Sequence, residues 1–225
     1  ENIENGNLKP HDQIKSERDL GEEFGVNRLT VHKALAMLVS QGRLYRIPSK
    51  GTFVAEPKVA QEMNVLVGLS DQLIRSGLQP GAKLLDISVI PANVSVAKAL
   101  RVHETTPVYY IHRLRYANKV PVALERTFIP FGYYPGLDSY DLENRSLYDL
   151  MEKEYSRPVR LARQGLEPVL ATNDEAKLLE IGRPAALMMI SRIGLDTEGI
   201  PVEYSKDLYR GDRHRFVFMT QNPNF

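Results

Sequence analysis

Two arginines in the middle of the chain have the spacing of side chains on one face of a β-strand. Arg113 and Arg115 lie two positions apart in an alternating run from Val108 to Tyr116, so both side chains are expected on the same face of a sheet. Two guanidinium groups this close repel each other unless an anion lies between them, and their planar fork suits phosphate and carboxylate. The pattern therefore predicts an anion site. Salt bridges to carboxylates such as Glu125 are the alternative use of the pair.

Two serines could add to such a site. Ser70 and Ser146 each stand at the start of a short predicted helix, where free N–H groups and the helix dipole favour anions. As ordinary N-caps they would need no ligand. Two helix starts together with an arginine pair indicate an anion site more strongly than any one of these features.

Catalytic and metal-binding signatures are absent from the sequence. The five histidines show no metal-ligand spacing, and there is no nucleophile elbow, phosphate-binding loop or dinucleotide fingerprint. No metal and no cofactor are therefore expected. Glu125 and Glu203 could in principle form an acid–base pair, which keeps an enzyme acting on a small anionic substrate as the alternative to a binding protein.

The first part of the chain has a different pattern. Residues 16–54 predict two short helices across a turn, followed by a small hairpin with strands at 44–46 and 52–54. Asn27 can cap the second helix and Gly42 predicts its end. The apolar face of that helix has helical spacing and consists of Val31, Ala34, Leu35 and Leu38. This order of elements predicts a winged helix-turn-helix.

The formal net charge of +1 conceals an asymmetry along the chain. Residues 1–27 contain three Lys/Arg and seven Asp/Glu, whereas residues 28–58 contain six Lys/Arg and one acid, Glu56. A basic second helix and hairpin can neutralise phosphates, which predicts a nucleic-acid partner. For this segment taken alone, a solvated charged face is the alternative.

Four short motifs in this segment occur in a fixed order. They are Ser16-Glu17-Arg18-x-Leu20, Phe24-Gly25-Val26-x-Arg28-x-Thr30-Val31, Gly42-x-Leu44 and Lys50-Gly51-Thr52-Phe53-Val54. Together they resemble the DNA-binding domain of the GntR family. The resemblance implies a homodimeric bacterial transcription factor, usually a repressor, that binds a palindromic operator in double-stranded DNA.

The same resemblance implies which residues meet DNA. They are Arg18, Arg28, Thr30, His32, Lys33, Lys50 and Gly51. Arg18 and Arg28 would contact DNA, and Thr30 would lie at a phosphate. Lys50-Gly51, at the tip of the wing, would enter the minor groove.

Some features of the segment depart from the family pattern. Lys15 stands where proline is usual, and His32 stands where arginine is usual and is a weaker, pH-sensitive donor. A salt bridge to Glu22 at i+4 is the alternative role of Arg18. The first helix of the three-helix core is expected to be missing, which would leave apolar surface uncovered on this small domain.

The rest of the chain contains an internal repeat. Residues 92–102 align with 171–181, and Ile111-x-Arg113-Leu114 aligns with Ile190-x-Arg192-Ile193 at the same offset. Each half is predicted as a helix followed by a β-hairpin with an arginine on its first strand. The repeat predicts a pseudo-twofold domain, with antiparallel strands of both halves in one sheet and a pocket near their junction. Chance similarity of two helix–hairpin units is the alternative.

A second set of motifs lies in residues 65–225. It comprises Arg113-x-Arg115, Pro121, Glu125, Ser146-Leu147-Tyr148, Pro201-Val202-Glu203-Tyr204 and Tyr209-Arg210-Gly211-Asp212-Arg213. These motifs resemble the UTRA effector-binding domain of the HutC-type branch of the GntR family. The resemblance implies a chorismate-lyase-like fold that binds a small molecule without transforming it.

Residue roles in this domain are again implied by the resemblance. The residues that would hold an anionic group, often the phosphate of a sugar phosphate, are Ser70, Arg113, Arg115 and Ser146. Those that would hydrogen-bond hydroxyl or amino groups of the effector are Glu125, Glu203 and Tyr209. Arg163 is a further candidate anion contact. Glu203 could instead pair with Arg192 or Lys206.

The whole chain is thus predicted to have an α+β fold with a DNA-binding domain at 1–54, a polar linker at 55–64 and an effector-binding domain at 65–225. The 225 residues contain no cysteine, no bilayer-spanning apolar run and no signal peptide, which favours the cytoplasm and no membrane partner. The predicted function is a ligand-responsive repressor, acting as a homodimer on DNA and modulated by a small anion.

Overall fold

A computed structural model describes residues 1–47 and 49–222. The chain divides into two compact units, one made of Glu1–Val59 with Gly211–Arg215 and the other of Ala60–Arg210 with the residues from Phe216 onward. Residues 55–64, for which a linker is predicted, include strand β3 (Val59–Glu62), which pairs with β10 (His214–Val217). This ladder joins residues that are about 150 positions apart in the sequence.

The first unit has the winged helix-turn-helix order that the sequence predicts. Its elements are α1 (Glu17–Phe24), α2 (Arg28–Ser40), β1 (Leu44–Ile47) and β2 (Gly51–Val54), with β1 and β2 antiparallel. Asn27 Oδ1 accepts a hydrogen bond from the Thr30 N–H at 2.8 Å and so caps α2 as expected. Gly42 follows α2 with a φ of +71°, and a Cβ there would lie 2.2 Å from the Asp212 carbonyl oxygen, so only glycine fits.

The core of the first unit is small. Its buried apolar residues are Val31, Leu35, Leu44 and Val54. Of the apolar face predicted on α2, Leu38 is half-buried and Ala34 is exposed. Phe24 and Leu29 are also exposed, at 67% and 62%, so this unit leaves a considerable part of its apolar surface uncovered.

The second unit is built on one six-stranded antiparallel sheet in the order β4-β5-β6-β9-β8-β7. Its strands are β4 (Pro80–Pro91), β5 (Pro107–Ala117), β6 (Val120–Pro130), β7 (Leu161–Leu170), β8 (Ala186–Leu195) and β9 (Pro201–Arg210). Its helices are α3 (Leu69–Arg75), α4 (Val94–Leu100), α5 (Leu147–Lys153) and α6 (Asn173–Leu178). Helices with a mainly antiparallel sheet confirm the predicted α+β class.

The internal repeat is visible in the strand order. Strand β4, helix α4 and the hairpin β5-β6 form one half of the sheet, and β7, α6 and the hairpin β8-β9 form the other in mirrored order. Strands β6 and β9 meet at the centre. This arrangement confirms the predicted joining of both halves in one sheet.

The two faces of the sheet have different roles. Helices α4 and α6 cover one face, where Val96 and Leu179 pack on side chains such as Val108 and Leu114. On the opposite face, α5 packs Leu147 and Leu150 into a second apolar cluster with Tyr109 and Ile111. Further along β5 on that same face the residues become Arg113 and Arg115, because side chains two apart share a face.

Candidate functional site

A row of charged residues crosses three neighbouring strands near the centre of the sheet. Arg113 of β5 lies directly opposite Glu125 of β6, and Glu125 lies directly opposite Asp207 of β9. All three side chains are buried. Arg113 Nη2 is 2.8 Å from Glu125 Oε2, and Arg113 Nη1 donates to the Leu142 carbonyl at 3.2 Å. Arg113 Nε has no partner among the described residues, so the guanidinium retains one buried donor.

The second arginine shares the same carboxylate. Arg115 Nη1 donates to both oxygens of Glu125, at 2.8 and 2.9 Å, and Arg115 Nη2 donates to Ser70 Oγ at 2.7 Å. The alternative use of the arginine pair, salt bridges to Glu125, is therefore present in the structure. Glu125 neutralises one of two positive charges, and the pair keeps an excess of positive charge for an anion.

Two of the buried carboxyl groups have opposite environments. Burial by itself would raise the pKa of Glu125, but the charges of Arg115 and Arg113 outweigh it and lower the pKa to about 2. Burial, followed by the neighbouring charge of Glu125, raises the pKa of Asp207 to about 8. Asp207 Oδ2 accepts from Ser205 Oγ at 3.0 Å, whereas Oδ1 has no partner among the described residues.

A second polar group comes from the other half of the repeat. Tyr148 OH donates to Glu203 Oε2 at 2.6 Å and accepts from Arg192 Nη1 at 3.3 Å. Arg192 Nε donates to Gln164 Oε1 at 3.0 Å. Burial raises the pKa of Glu203. Tyrosine therefore stands between Glu203 and Arg192, in place of the direct ion pair considered from the sequence.

These groups line one cavity. Its walls are formed by Gly68, Leu69, Ser70, Arg113, Arg115, Glu125, Thr127, Ser146, Leu147, Tyr148, Arg192, Glu203 and Asp207. The cavity volume is about 30 Å³, and an adjoining cleft of about 250 Å³ shares Ser70, Arg113, Arg115 and Ser146. The four residues predicted to hold an anion therefore lie where the inner cavity meets the wider cleft.

The two serines differ in their relation to the helices. Ser146 is the N-cap of α5 and accepts from the Asp149 N–H at 3.4 Å. Ser70 was expected just before its helix, but it is the second residue of α3, whose N-cap is Gly68. The hydroxyl of Ser70 therefore does not cap the helix, and it accepts a hydrogen bond from Arg115.

Two of the predicted effector residues do not line the cavity. Tyr209 is buried and is not among the residues that line the cavity. Arg163 is exposed on β7, and it lies on the opposite face of the sheet because its neighbour Gln164 faces Arg192. Seven lining residues were absent from the predicted site, and three of them, Tyr148, Arg192 and Asp207, carry ionisable side chains. The repeat could have indicated Arg192, which aligns with Arg113.

On the first unit, basic side chains gather around one acid. Arg28 Nε lies 3.2 Å from Glu17 Oε2, and His32 Nδ1 and Arg46 Nη2 lie 2.8 and 3.3 Å from Glu17 Oε1. The hydrogen bond from His32 is the main cause that lowers the pKa of Glu17, with burial opposing it. Glu17 thus holds side chains of α2 and of the wing on one surface.

The residues predicted to meet DNA all lie in the first unit and are exposed: Arg18, Arg28, Thr30, His32, Lys33, Lys50 and Gly51. Arg18 lies 3.7 and 3.9 Å from Asp19 and Glu22, which are loose contacts on an open surface. At the wing tip, Gln13 Nε2 donates to the Lys50 carbonyl at 2.9 Å. Pro48 of the tip lies outside the described residues.

The described residues offer neither a membrane-spanning helix nor a metal-binding cluster. None of the helices there is long and apolar enough to cross a membrane. Residues 1–47 and 49–222 contain no group of three or more histidines, cysteines or acids placed to hold a metal ion.

A winged helix-turn-helix joined to a sheet domain with a buried charged cavity defines a DNA-binding regulator with a separate ligand-binding domain. Two family models match the chain, "Bacterial regulatory proteins, gntR family" over residues 1–54 and "UTRA domain" over residues 75–215. The chain belongs to the GntR family, in its UTRA-bearing branch, as its motifs predict.

Relatives extend over nearly the whole chain. It is 37% identical over 215 residues to the HTH-type transcriptional repressor NagR of Bacillus subtilis, which covers 96% of this chain and 88% of NagR. It is 30% identical to the mannosyl-D-glycerate transport/metabolism system repressor MngR of Escherichia coli, covering 98% and 92%. Among solved structures, PhnF from Mycobacterium smegmatis matches with a TM-score of 0.72, 28% identity and coverage of 95% and 94%.

These comparisons confirm the predicted class of function. The protein is a ligand-responsive transcriptional repressor that binds DNA through its first unit and a small-molecule effector through its UTRA domain. The family, the named relatives and the structural neighbours are regulators, which disfavours the alternative of an enzyme.

Proposed function

We propose that the effector is a small anion, such as a sugar phosphate, held through its anionic group by Arg113, Arg115, Ser70 and Ser146. The observation that carries the proposal is the shared carboxylate: among the described residues, the two buried guanidinium groups have Glu125 as their one direct ionic partner. An anion with several oxygens can replace or supplement that carboxylate bidentately. The hydroxyl of Ser70, already 2.7 Å from Arg115, supplies a further donor at the same place.

The uncharged part of the effector would contact the two glutamates that line the cavity. Glu125 and Glu203 face the cavity and can accept hydrogen bonds from hydroxyl or amino groups. The hydroxyl of Tyr148 is hydrogen-bonded to both Glu203 and Arg192, and all three residues line the cavity. Tyr209 lies two residues from Asp207 on the same face of β9, and it would have to be reached by a part of the effector that extends beyond the cavity lining. A polyhydroxylated anion therefore suits the site better than an apolar acid.

On DNA, the proposed contacts are the exposed residues of α1, α2 and the wing. Arg18, Arg28 and Thr30 would bind at the ends of the helices, with His32 and Lys33 further along α2 and Lys50-Gly51 in the minor groove. The basic surface formed by Arg28, His32 and Arg46 supports this assignment. Each of these cations would exchange its bond with Glu17 for one with DNA.

The protein is proposed to act as a homodimer in the cytoplasm. A palindromic operator is read by two copies with twofold symmetry, because each winged helix reaches one half-site. Effector binding would change the placement of the two winged helices and so modulate the affinity for the operator. This requires that the effector bind the two arrangements with different affinities.

Thermal unfolding with a small set of probes tests the effector proposal. Inorganic phosphate, a hexose phosphate and the same hexose without phosphate should be compared at equal ionic strength. The phosphorylated sugar should raise the melting temperature most, since a ligand stabilises the native state according to its affinity and concentration. Equal effects of the two sugars would contradict an anion-directed site.

Two variants separate the effector site from the DNA surface. Arg115→Ala should abolish stabilisation by the hexose phosphate and leave binding to a selected operator duplex intact, whereas Arg28→Ala should do the reverse. The matched control is Arg126→Ala, because Arg126 lies on β6, pairs with Glu175 at 3.1 Å on the other face and is half-exposed. Loss of both activities in either variant would mean that the two roles were misassigned.

A further inference from the structure

Asp207 of β9 is a buried acid with one unpaired carboxyl oxygen at the effector cavity. It lines the cavity together with Glu125, which lies directly opposite it on β6. Asp207 Oδ2 accepts a hydrogen bond from Ser205 Oγ at 3.0 Å, whereas Oδ1 makes no hydrogen bond within the part of the chain that the structure describes. Because an unpaired buried polar atom costs free energy, Oδ1 is placed to bond a molecule that enters the cavity.

The charges around Asp207 decide which form of its carboxyl such a molecule meets. The titratable and charged groups that face it are Glu125 on β6, Glu203 and Tyr209 on β9, Arg113 and Arg115 on β5 and Arg192 on β8, and Tyr148 of α5 lines the same cavity. Burial and then the charge of Glu125 raise the pKa of Asp207 to about 8, so the carboxyl holds a proton at neutral pH. Because Oδ2 already accepts from Ser205, the proton is available on Oδ1 as a donor.

Glu125 and Asp207 therefore offer opposite halves of a hydrogen-bonding pair. The ionised Glu125 can only accept, whereas the protonated Asp207 can donate. A ligand hydroxyl between the two could donate to Glu125 and accept from Asp207, but an ammonium group has donors only. The inner cavity, with a volume of about 30 Å³, has room for a group of this size.

We propose that Asp207 is a specificity-determining contact of the effector and donates a hydrogen bond from Oδ1 to an oxygen on the uncharged part of that molecule. This inference rests on the proposed function, because the anionic group of the effector is taken to lie at Arg113 and Arg115. Asp207 then favours a polyhydroxylated anion over a bare anion. Ionisation of Asp207 removes the donor and adds a negative charge near the bound anion, so it weakens binding.

The pH dependence of binding tests the donor directly. Isothermal titration calorimetry with a hexose phosphate from pH 7 to pH 9 keeps the effector charge constant, because the second pKa of a phosphate monoester is about 6. Wild-type affinity should fall as the pH passes about 8 and approach a loss of about tenfold per pH unit. Asp207→Asn keeps a donor and cannot ionise, so its affinity should stay nearly constant. Asp174→Asn, an exposed change on α6, should follow wild type.

Removal of the donor tests the specificity at a fixed pH of 7. Asp207→Leu keeps the approximate size of the side chain but cannot donate, so affinity for the hexose phosphate should fall by about tenfold, the effect of one hydrogen bond. Inorganic phosphate has no uncharged part and should bind Asp207→Leu and wild type equally. Circular dichroism checks that Asp207→Leu is folded. The comparison of wild type with Asp207→Asn across pH remains decisive if it is not.

The outcomes separate this contact from the anion site itself. If neither the hexose phosphate nor inorganic phosphate binds wild type at pH 7, the proposed effector site is wrong. If the hexose phosphate binds wild type but its affinity falls equally with pH in Asp207→Asn, or does not fall at all, the anion site stands and the role of Asp207 is overturned. Equal affinity of folded Asp207→Leu and wild type for the hexose phosphate overturns it as well. A loss with pH that is confined to proteins with Asp207 supports the contact.

Discussion

Glu125 and Asp207 lie directly opposite one another on adjacent strands at the centre of the sheet, and their carboxyl groups have pKa values of about 2 and about 8. Both are buried, at 7% and 3% exposure. The difference arises because Arg115 and Arg113 bond Glu125, whereas Asp207 is buried beside the charge of Glu125 and, among the described residues, accepts a hydrogen bond from the hydroxyl of Ser205 alone. At neutral pH one carboxyl is thus ionised and its neighbour holds a proton.

The first prediction concerns the pH dependence of stability. The pKa of Asp207 is raised in the native state above its ordinary value of 3.8, so its proton stabilises the native state at low pH. That contribution is lost as the pH rises from about 4 through about 8. Asp207→Asn cannot lose a proton. Across this range, urea unfolding should show wild type losing stability relative to the variant.

Asp174→Asn is the control for this experiment, because Asp174 is exposed on α6. Its pH profile should run parallel to that of wild type. A constant difference in unfolding free energy between wild type and Asp207→Asn from pH 5 to pH 8 would show that Asp207 does not titrate in this range.

The second prediction concerns the carboxylate shared by the arginines. Glu125→Gln leaves two buried guanidinium groups without a counter-charge, and breaking a buried ion pair typically costs about 3–5 kcal/mol. The variant should therefore unfold at lower urea concentration. Inorganic phosphate should recover more stability in the variant than in wild type, since phosphate can supply the missing charge.

Glu104→Gln, an exposed change of the same charge, should behave like wild type in both measurements. Potassium chloride at matched ionic strength separates specific binding from screening. If phosphate stabilised Glu125→Gln and wild type equally, Glu125 would not compete with anions for the arginines.

The third prediction concerns the acid on the DNA-reading surface. Glu17 contacts Arg28, His32 and Arg46, so it competes with phosphate groups for these cations. Glu17→Gln should raise affinity for a random-sequence duplex. The slope of log affinity against log salt should steepen by about 0.9, which corresponds to one additional phosphate contact. Fluorescence anisotropy over a salt series measures both quantities.

Glu104→Gln carries the same change of net charge in the second unit and serves again as the comparison. Its salt slope should match that of wild type. If duplex affinity increased equally in both variants, net charge alone would explain the effect, and a local role of Glu17 would be refuted.

The fourth prediction concerns the contact between the edge strand and the cavity. Gln164→Leu removes the acceptor of Arg192 Nε, and a buried donor left without a partner costs about 1–3 kcal/mol. The unfolding free energy should fall by that amount.

A double-mutant cycle with Arg192→Lys identifies the source of the loss. The two changes should be non-additive, since both remove the same hydrogen bond. Additive losses would show that Gln164 and Arg192 act independently.

Local residue patterns in the sequence were sufficient to predict several features of the structure. The winged helix-turn-helix follows from Asn27 as a cap, Gly42 as a helix end and an apolar face on α2, all of which depend on neighbouring residues. The internal repeat predicted the mirrored sheet, because two similar helix–hairpin units can share one core. The alternation of Arg113 and Arg115 placed both side chains on one face.

Other features depend on contacts between distant parts of the chain. Asp207 holds its proton because the fold buries it and, second, because strand pairing sets it beside Glu125. Strand order is not encoded in a local pattern. Arg163 looked like an anion ligand by residue type. It lies on the edge strand β7, however, and its side chain is on the face of the sheet opposite the cavity. Residue patterns were enough to predict most of the helices and strands and the charges that they carry. Tertiary pairing sets which charges meet, because burial and neighbouring groups determine their energies.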